Sequence, residues 1–153
     1  MQAMQLMWTL LLFSIFGNPG TAQMNPVEWN FKSRKITDTE YDLLLTAQVN
    51  KGWFIYSQFL ESDEGPVPTS FTFHEDDSYE LIGETQEEGH KKEGFDDIFG
   101  MNLIKFSGEV TFIQRVKLKK KVASISGSLD FMTCDDERCL PPATVEFTIP
   151  LKN

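Results

Sequence analysis

Hydrophobic residues alternate with polar residues along most of this chain, and this period of two is the feature that most constrains its fold. Val27, Trp29 and Phe31 alternate with Glu28, Asn30 and Lys32. The same alternation recurs, with single interruptions, in residues 41–49, 71–73, 110–118, 123–131 and 145–151. Successive side chains of a β-strand point to opposite faces, so the pattern predicts seven or more short strands that each bury one face.

Turn sequences separate these strands, and no convincing amphipathic helix lies between them. The turns include Asn-Lys-Gly at 50–52, Ser-Asp-Glu-Gly-Pro at 62–66 and Glu-Asp-Asp-Ser at 75–78. The polar stretch at 84–97, with one histidine among acidic and basic residues, is expected to be a solvated loop or hairpin. The pattern therefore predicts an all-β protein, an antiparallel β-sandwich in a single domain.

The charge balance excludes one class of partner, and the cysteine and histidine spacing argues against a metal. The 153 residues include 14 Lys and Arg against 23 Asp and Glu, a net charge of −9, whereas a protein that binds nucleic acid needs a dense basic face. The two histidines and two cysteines, His74, His90, Cys134 and Cys139, match no zinc-finger spacing. We therefore predict no structural metal, and no residue pattern indicates a cofactor.

The N-terminus has the composition of a signal peptide. Residues 1–22 contain no Asp, Glu, Lys or Arg, and residues 7–16 form an apolar run too short to span a bilayer comfortably. We predict a signal peptide at 1–22 and a mature domain at 23–153, with an uncleaved anchor or a buried helix as the alternatives. The mature chain contains no run of about 18 uncharged apolar residues that would predict a membrane span.

Export would place the two cysteines in an oxidising compartment, where a disulfide can form and persist. Cys134 and Cys139 enclose four residues, so the chain between them must turn if their sulfurs are to bond. Alternation ends at Phe131 and resumes at Val145, which predicts that the pair lies at or near the tip of the last hairpin.

Two readings of this disulfide remain open on spacing alone. As a plain staple it would remove only about 2 kcal/mol of unfolded-state entropy, because the loop is short. Short local disulfides with accessible sulfurs are often exchangeable, which favours a redox role. The acidic residues between the cysteines disfavour a thiolate, so such a pair would exchange with a docked partner rather than act as a free nucleophile.

Three stretches resemble the N-terminal periplasmic domain family of the thiol:disulfide interchange protein DsbD. They are residues 131–142 (FMTCDDERCLPP), which resemble the family's cysteine hairpin, residues 51–56 (KGWFIY) and residues 96–100 (DDIFG). The cysteine motif is the most specific, although this chain has four residues between its cysteines where the family usually has a longer spacing. The resemblance spans most of residues 25–151 and implies an immunoglobulin-like antiparallel β-sandwich.

The resemblance implies an electron relay in the periplasm. Its dithiol would be reduced by a thioredoxin-like protein and oxidised by periplasmic substrate proteins that contain disulfides, as one component of a protein-disulfide reductase system. Cys139 would form the mixed disulfides and Cys134 would resolve them. The runner-up function is a non-catalytic immunoglobulin-like binding domain in which the disulfide only fixes the hairpin.

The resemblance also implies a shielded site. Tyr56, Asp96 and Asp97 would surround the cysteine pair, and a cap loop carrying Ile98 and Phe99 would cover it until a partner displaces the loop. Ile98 stands at the position expected for the shielding aromatic, so Phe99 is the candidate for that role.

We predict that the signal peptide is cleaved after Ala22, because Gly20 and Ala22 place small residues at positions −3 and −1 of the cleavage site. N-terminal sequencing of the exported protein should begin at Gln23. A cytoplasmic protein that retains Met1 would contradict this prediction and remove the oxidising context of the cysteines.

Overall fold

The computed structural model of the protein describes residues 25–62 and 64–152, so the predicted signal peptide lies outside the described residues. The described residues form nine strands. They are β1 (Val27–Lys35), β2 (Glu40–Val49), β3 (Phe54–Tyr56), β4 (Ser70–Phe73), β5 (Tyr79–Asp96), β6 (Met101–Leu118), β7 (Ser124–Phe131), β8 (Thr133–Cys134) and β9 (Ala143–Pro150). In this part of the chain there is no helix long and apolar enough to cross a membrane.

The strands form two antiparallel sheets, which confirms the all-β prediction. The larger sheet has the order β1-β2-β6-β3-β8, and β5 pairs with β6 along most of its length. Ile113 of β6 pairs with Leu44 of β2 and with Gln86 of β5, so β5 and β2 lie on opposite sides of β6. The smaller sheet has the order β4-β7-β9.

The core lies between the two sheets and is built from the alternating residues that the sequence singled out. Every second residue of β2 from Tyr41 to Val49 is buried, and β6, β7 and β9 contribute their own alternating sets. The members of this core include Leu43, Leu45, Phe106, Val110, Phe112, Val116, Ile125, Leu129, Phe131, Phe147 and Ile149.

The polar stretch at 84–97 is a hairpin arm, one of the two alternatives that the sequence allowed. It forms most of β5, whose side chains are exposed along nearly the whole strand. Gly83 has a φ of 69° and lies in a bulge between Ile82 and Gln86.

Gln114 interrupts the apolar alternation of β6 because it completes this bulge. Its side chain is buried, and its amide nitrogen donates to the carbonyl oxygens of Ile82 and Gly83, each at 3.4 Å. The Thr85 hydroxyl donates to the Gln114 amide oxygen at 2.8 Å. A buried polar residue is tolerated here because its hydrogen-bonding groups have partners.

We predict that Gly127→Ala destabilises the fold by about 1–3 kcal/mol, the usual cost of overpacking a well-packed core. A Cβ at Gly127 would lie 2.3 Å from the carbonyl oxygen of Thr72 and 2.7 Å from the ring of Phe147. Chemical denaturation measures the change. Gly94→Ala is the matched control, since a Cβ there meets nothing within 4 Å. Equal stability of the two variants would contradict the prediction.

Candidate functional site

The cysteine loop leaves one sheet and joins the other. β7 and β9 pair as far as Phe131 and Ala143, and the cysteines follow directly, as the sequence predicted. The chain then crosses to the larger sheet, where Cys134 pairs with Phe54 of β3. Cys134 and Cys139 form a disulfide, and their Cα atoms are 4.0 Å apart.

Hydrogen bonds hold the turn between the cysteines independently of the disulfide. The Asp135 carboxylate accepts the backbone N–H groups of Glu137 and Arg138, both at 2.8 Å, and these two donors hold the pKa of the Asp135 carboxyl below its usual value. The Asp135 N–H donates to the carbonyl of Arg138, and the Leu140 N–H donates to that of Thr133. The loop is thus a closed turn with its own support.

The disulfide belongs to a second apolar cluster on the face of the larger sheet that points away from the core. Ile55 packs into the core, whereas its neighbours Phe54 and Tyr56 point to the opposite face. There they meet the buried Leu103 and Cys134. The partly buried members of the cluster are Leu60, Phe99, Met101, Met132 and Cys139. We call this set the disulfide cluster.

The turn at 97–100 between β5 and β6 covers the disulfide cluster, and Phe99 is the side chain that enters it. The Phe99 ring lies 5.9 Å from the Tyr56 ring at an interplanar angle of 85°, an edge-to-face contact. The Ile98 side chain is 44% exposed, and Asp97 is exposed. The structure therefore brings Tyr56, Asp96 and Phe99 together with the cysteines, and leaves Ile98 and Asp97 towards solvent.

Asp96 holds this turn. Its side chain is 3% exposed, and one carboxylate oxygen accepts the N–H groups of Ile98 at 2.9 Å and Phe99 at 3.2 Å. The other oxygen pairs with the Lys105 ammonium at 2.7 Å. Burial alone would raise the pKa of Asp96, but Lys105 and the two backbone donors outweigh it, so the pKa lies below its usual value. Asp96 is an ionised anchor of the turn at neutral pH.

The Tyr56 hydroxyl is buried, and in the described part of the chain it has no hydrogen-bond partner. Burial and the nearby charge of Asp96 raise the pKa of Tyr56 above its ordinary value. Tyr56 therefore stays neutral and contributes apolar surface to the disulfide cluster.

Two cations that the sequence pattern did not indicate lie against aromatic rings of the site. The Lys105 ammonium is 3.9 Å from the centroid of the Phe54 ring, and the Arg138 guanidinium is 5.7 Å from that of Trp53. Cations in this position are attracted by the ring electrons. The only signal in the sequence was a lysine that lies directly between two apolar residues of β6, Ile104 and Phe106.

The described residues contain no group of three or more His, Cys, Asp or Glu side chains placed to hold a metal ion. His74 and His90 are exposed on separate strands or turns.

Comparison with known proteins agrees with this geometry. The family described as "Thiol:disulfide interchange protein DsbD, N-terminal" matches residues 21–151. The N-terminal domain of Neisseria meningitidis DsbD in the reduced form has 17% sequence identity and a TM-score of 0.51, with 77% of this chain and 82% of that chain covered. No curated protein sequence matches the chain significantly.

A second solved structure is the N-terminal periplasmic domain of ScsB from Proteus mirabilis, with 17% identity and a TM-score of 0.54. The match covers 81% of this chain and 45% of that one. At these identities the structures establish the fold, which confirms the predicted immunoglobulin-like sandwich.

We predict that Phe99→Ala speeds reduction of the disulfide by glutathione about two- to tenfold, because an aromatic pair contributes about 0.5–1.5 kcal/mol beyond its buried area. The rate is measured by following free thiols in the purified oxidised protein. Ile98→Ala is the matched control, since this side chain is largely exposed, and its rate should stay near wild type. Equal rates in both variants would contradict a shielding role for Phe99.

Proposed function

The chain belongs to the family of DsbD N-terminal domains, and on this basis we propose that it is a thiol:disulfide exchange module with Cys134 and Cys139 as its redox pair. It receives two electrons from a thioredoxin-like protein and passes them to oxidised substrate proteins. Family membership supports the class of reaction. The geometry of the described residues supports the roles of the individual sulfurs.

The unequal exposure of the two cysteines is the observation that carries this proposal. Cys134 is fully buried beneath Phe54 and Tyr56, whereas Cys139 is partly exposed at the rim of the disulfide cluster. Access to a sulfur is one of the factors that set its rate of exchange. Cys139 is therefore the sulfur that partners attack, and Cys134 is the resolving sulfur.

Reduction of the pair proceeds in two exchange steps. A thiolate of the donor attacks Sγ of Cys139, the Cys134–Cys139 bond breaks, and Cys134 leaves as a thiolate that takes a proton from solvent. The donor's second thiolate then attacks its own sulfur in the mixed disulfide, which oxidises the donor and releases Cys139. The same steps in reverse order reduce a substrate disulfide, with Cys139 attacking and Cys134 closing the ring.

The hydrogen-bonded turn supports repeated cycling. Because Asp135 holds the backbone of the turn by two N–H groups, the two cysteines stay close after the disulfide is reduced. The Arg138 guanidinium lies 3.6 Å from the second oxygen of Asp135 and offsets part of its charge. This reduces the penalty on a cysteine thiolate that the acidic residues would otherwise impose.

We also propose that the protein acts in the periplasm. The uncharged apolar N-terminus supports export, and a periplasmic compartment is the one named for the ScsB domain of similar fold. Substrates would then be periplasmic proteins with disulfides, and the donor a thioredoxin-like protein.

One observation favours the alternative of a binding domain with a structural disulfide. An apolar groove of about 760 Å³ lies beside the cysteine loop. Its lining includes Trp29, Phe31, Phe131, Pro141 and Pro142. The indole N–H of Trp29 is buried without a partner among the described residues. Unequal reactivity of the two cysteines would favour thiol:disulfide exchange, and equal reactivity would favour the binding domain.

We predict that Cys134→Ser traps a thioredoxin-like partner and that Cys139→Ser does not. The probe is a thioredoxin variant with only its attacking cysteine, activated as a mixed disulfide with thionitrobenzoate. Release of the coloured thiol reports attack by the protein, and the covalent complex is detected by non-reducing electrophoresis. We expect Cys139 to react faster by about an order of magnitude or more, because it is the less buried of the two cysteines.

The double variant Cys134→Ser, Cys139→Ser is the control. It should release no thiol yet remain folded. A disulfide that closes so short a loop contributes only about 2 kcal/mol to the free energy of unfolding, against a domain stability of about 5–15 kcal/mol. Equal reactivity of the two single variants, or unfolding of the double variant, would favour the structural disulfide.

A further inference from the structure

We propose that Lys105 is a positioning residue that anchors the turn at 97–100 over the disulfide. Its ammonium connects Asp96, which holds the turn, to Phe54, which pairs with Cys134. The inference deepens the proposed function, because a gate over the cysteines matters only if they exchange.

Both partners of the ion pair between Lys105 and Asp96 are largely buried. Their side chains are 16% and 3% exposed. The pair of Lys119 with Glu80, by contrast, has exposures of 51% and 44%. Exposed pairs contribute little because water screens them, whereas removing one partner of a buried pair leaves an uncompensated charge. Asp96 therefore depends on Lys105 to remain inside the protein.

The two carboxylate oxygens of Asp96 have different partners. One accepts the N–H groups of Ile98 and Phe99, and the other accepts the Lys105 ammonium. If Lys105 is lost, the buried carboxylate loses its counter-charge and either takes up a proton or turns towards water. Either change weakens its hydrogen bonds to the two N–H groups, which releases the turn and withdraws Phe99 from Tyr56.

The other end of the anchor is β3, the strand that pairs with β8, which carries the buried cysteine. The Lys105 ammonium lies 3.9 Å from the Phe54 ring centroid, and the Phe54 backbone pairs with that of Cys134. Lys105 also pairs in register with Tyr56. The Lys105 side chain thus contacts both Asp96, which holds the turn over the disulfide cluster, and Phe54, which belongs to that cluster. Both contacts are electrostatic.

The experiment measures the rate at which glutathione reduces the disulfide in Lys105→Met, Lys105→Arg and Lys92→Met. Lys105→Met keeps the apolar stem but removes the charge, and we expect a rate increase of up to about tenfold as the turn opens, similar to that of Phe99→Ala. Lys105→Arg should stay within about threefold of wild type, because a guanidinium can pair with a carboxylate and lie on an aromatic ring. Lys92 is the matched control: it lies directly across from Lys105 in register but is exposed, and its variant should not change the rate.

A double-mutant cycle separates gating from a general effect on stability. If Lys105 acts through the turn, Lys105→Met should add almost nothing to the rate of a Phe99→Ala variant, because the cover is already removed. An unchanged rate in Lys105→Met, a failure of Arg to restore it, or additive effects in the cycle would each overturn the proposal. Should Lys105→Met not fold, Lys105→Gln takes its place. Its amide keeps a hydrogen-bond donor, which favours folding, but it lacks the charge, so we expect the same acceleration.

This assay uses only the purified chain and a small reductant, so it does not depend on a protein partner. If trapping fails but the Lys105 variants change the glutathione rate as expected, the proposed function is contradicted and the role of Lys105 is not. If trapping succeeds but the Lys105 variants leave the glutathione rate unchanged, only the role of Lys105 is contradicted.

Discussion

The backbone ladder between β5 and β6 is the constraint on which the rest of the structure depends. β6 pairs with β5 on one side, and with β2 and then β3 on the other. Its side chains alternate between Phe106 and Val110, which enter the core, and Leu103 and Lys105, which point to the disulfide cluster. Because β6 is continuous from Met101 to Leu118, one ladder connects the sandwich to the turn that covers the disulfide.

The outer face of the larger sheet carries two buried carboxylates, and both are stabilised in the same way. The Asp42 carboxylate accepts from Arg115 at 2.6 and 3.0 Å and from Arg34 at 2.8 Å. Hydrogen bonding to Arg115 is the main cause that holds the pKa of Asp42 below its usual value, against burial. Asp96 relies on one lysine and two backbone donors. In both places the carboxylate is ionised, so Asp96 organises the site and is not a proton donor at neutral pH.

Alternation predicted the strands that bury one face, and it failed where burial does not follow a period of two. β1, β2, β7 and β9 were found because each packs one face into the core. Alternation did not decide between a loop and a hairpin for most of β5, because both faces of this strand are largely exposed, and two-residue β8 is too short for any pattern. The first part of β6 was missed because apolar residues on both its faces are buried in different clusters.

The site could be predicted in part. The family motifs placed the cysteines, Tyr56 and Asp96, and favoured Phe99 as the shielding aromatic over Ile98. Lys105 could not be predicted, because a lysine nine residues from an aspartate has the sequence appearance of any exposed ion pair. What makes it different is that the hairpin brings Asp96 opposite Met101 and beside Lys105, on a face covered by aromatic rings.

The placement of the two apolar clusters on opposite faces of one sheet has an evolutionary consequence. The fold depends on the inner face, where residues such as Leu45, Phe112 and Ile149 are fully buried. The outer face can therefore accept substitutions that alter partner choice or reactivity while the sandwich stays folded. Strand β3 contains this division within three residues, since Ile55 packs into the core whereas Phe54 and Tyr56 pack around the disulfide.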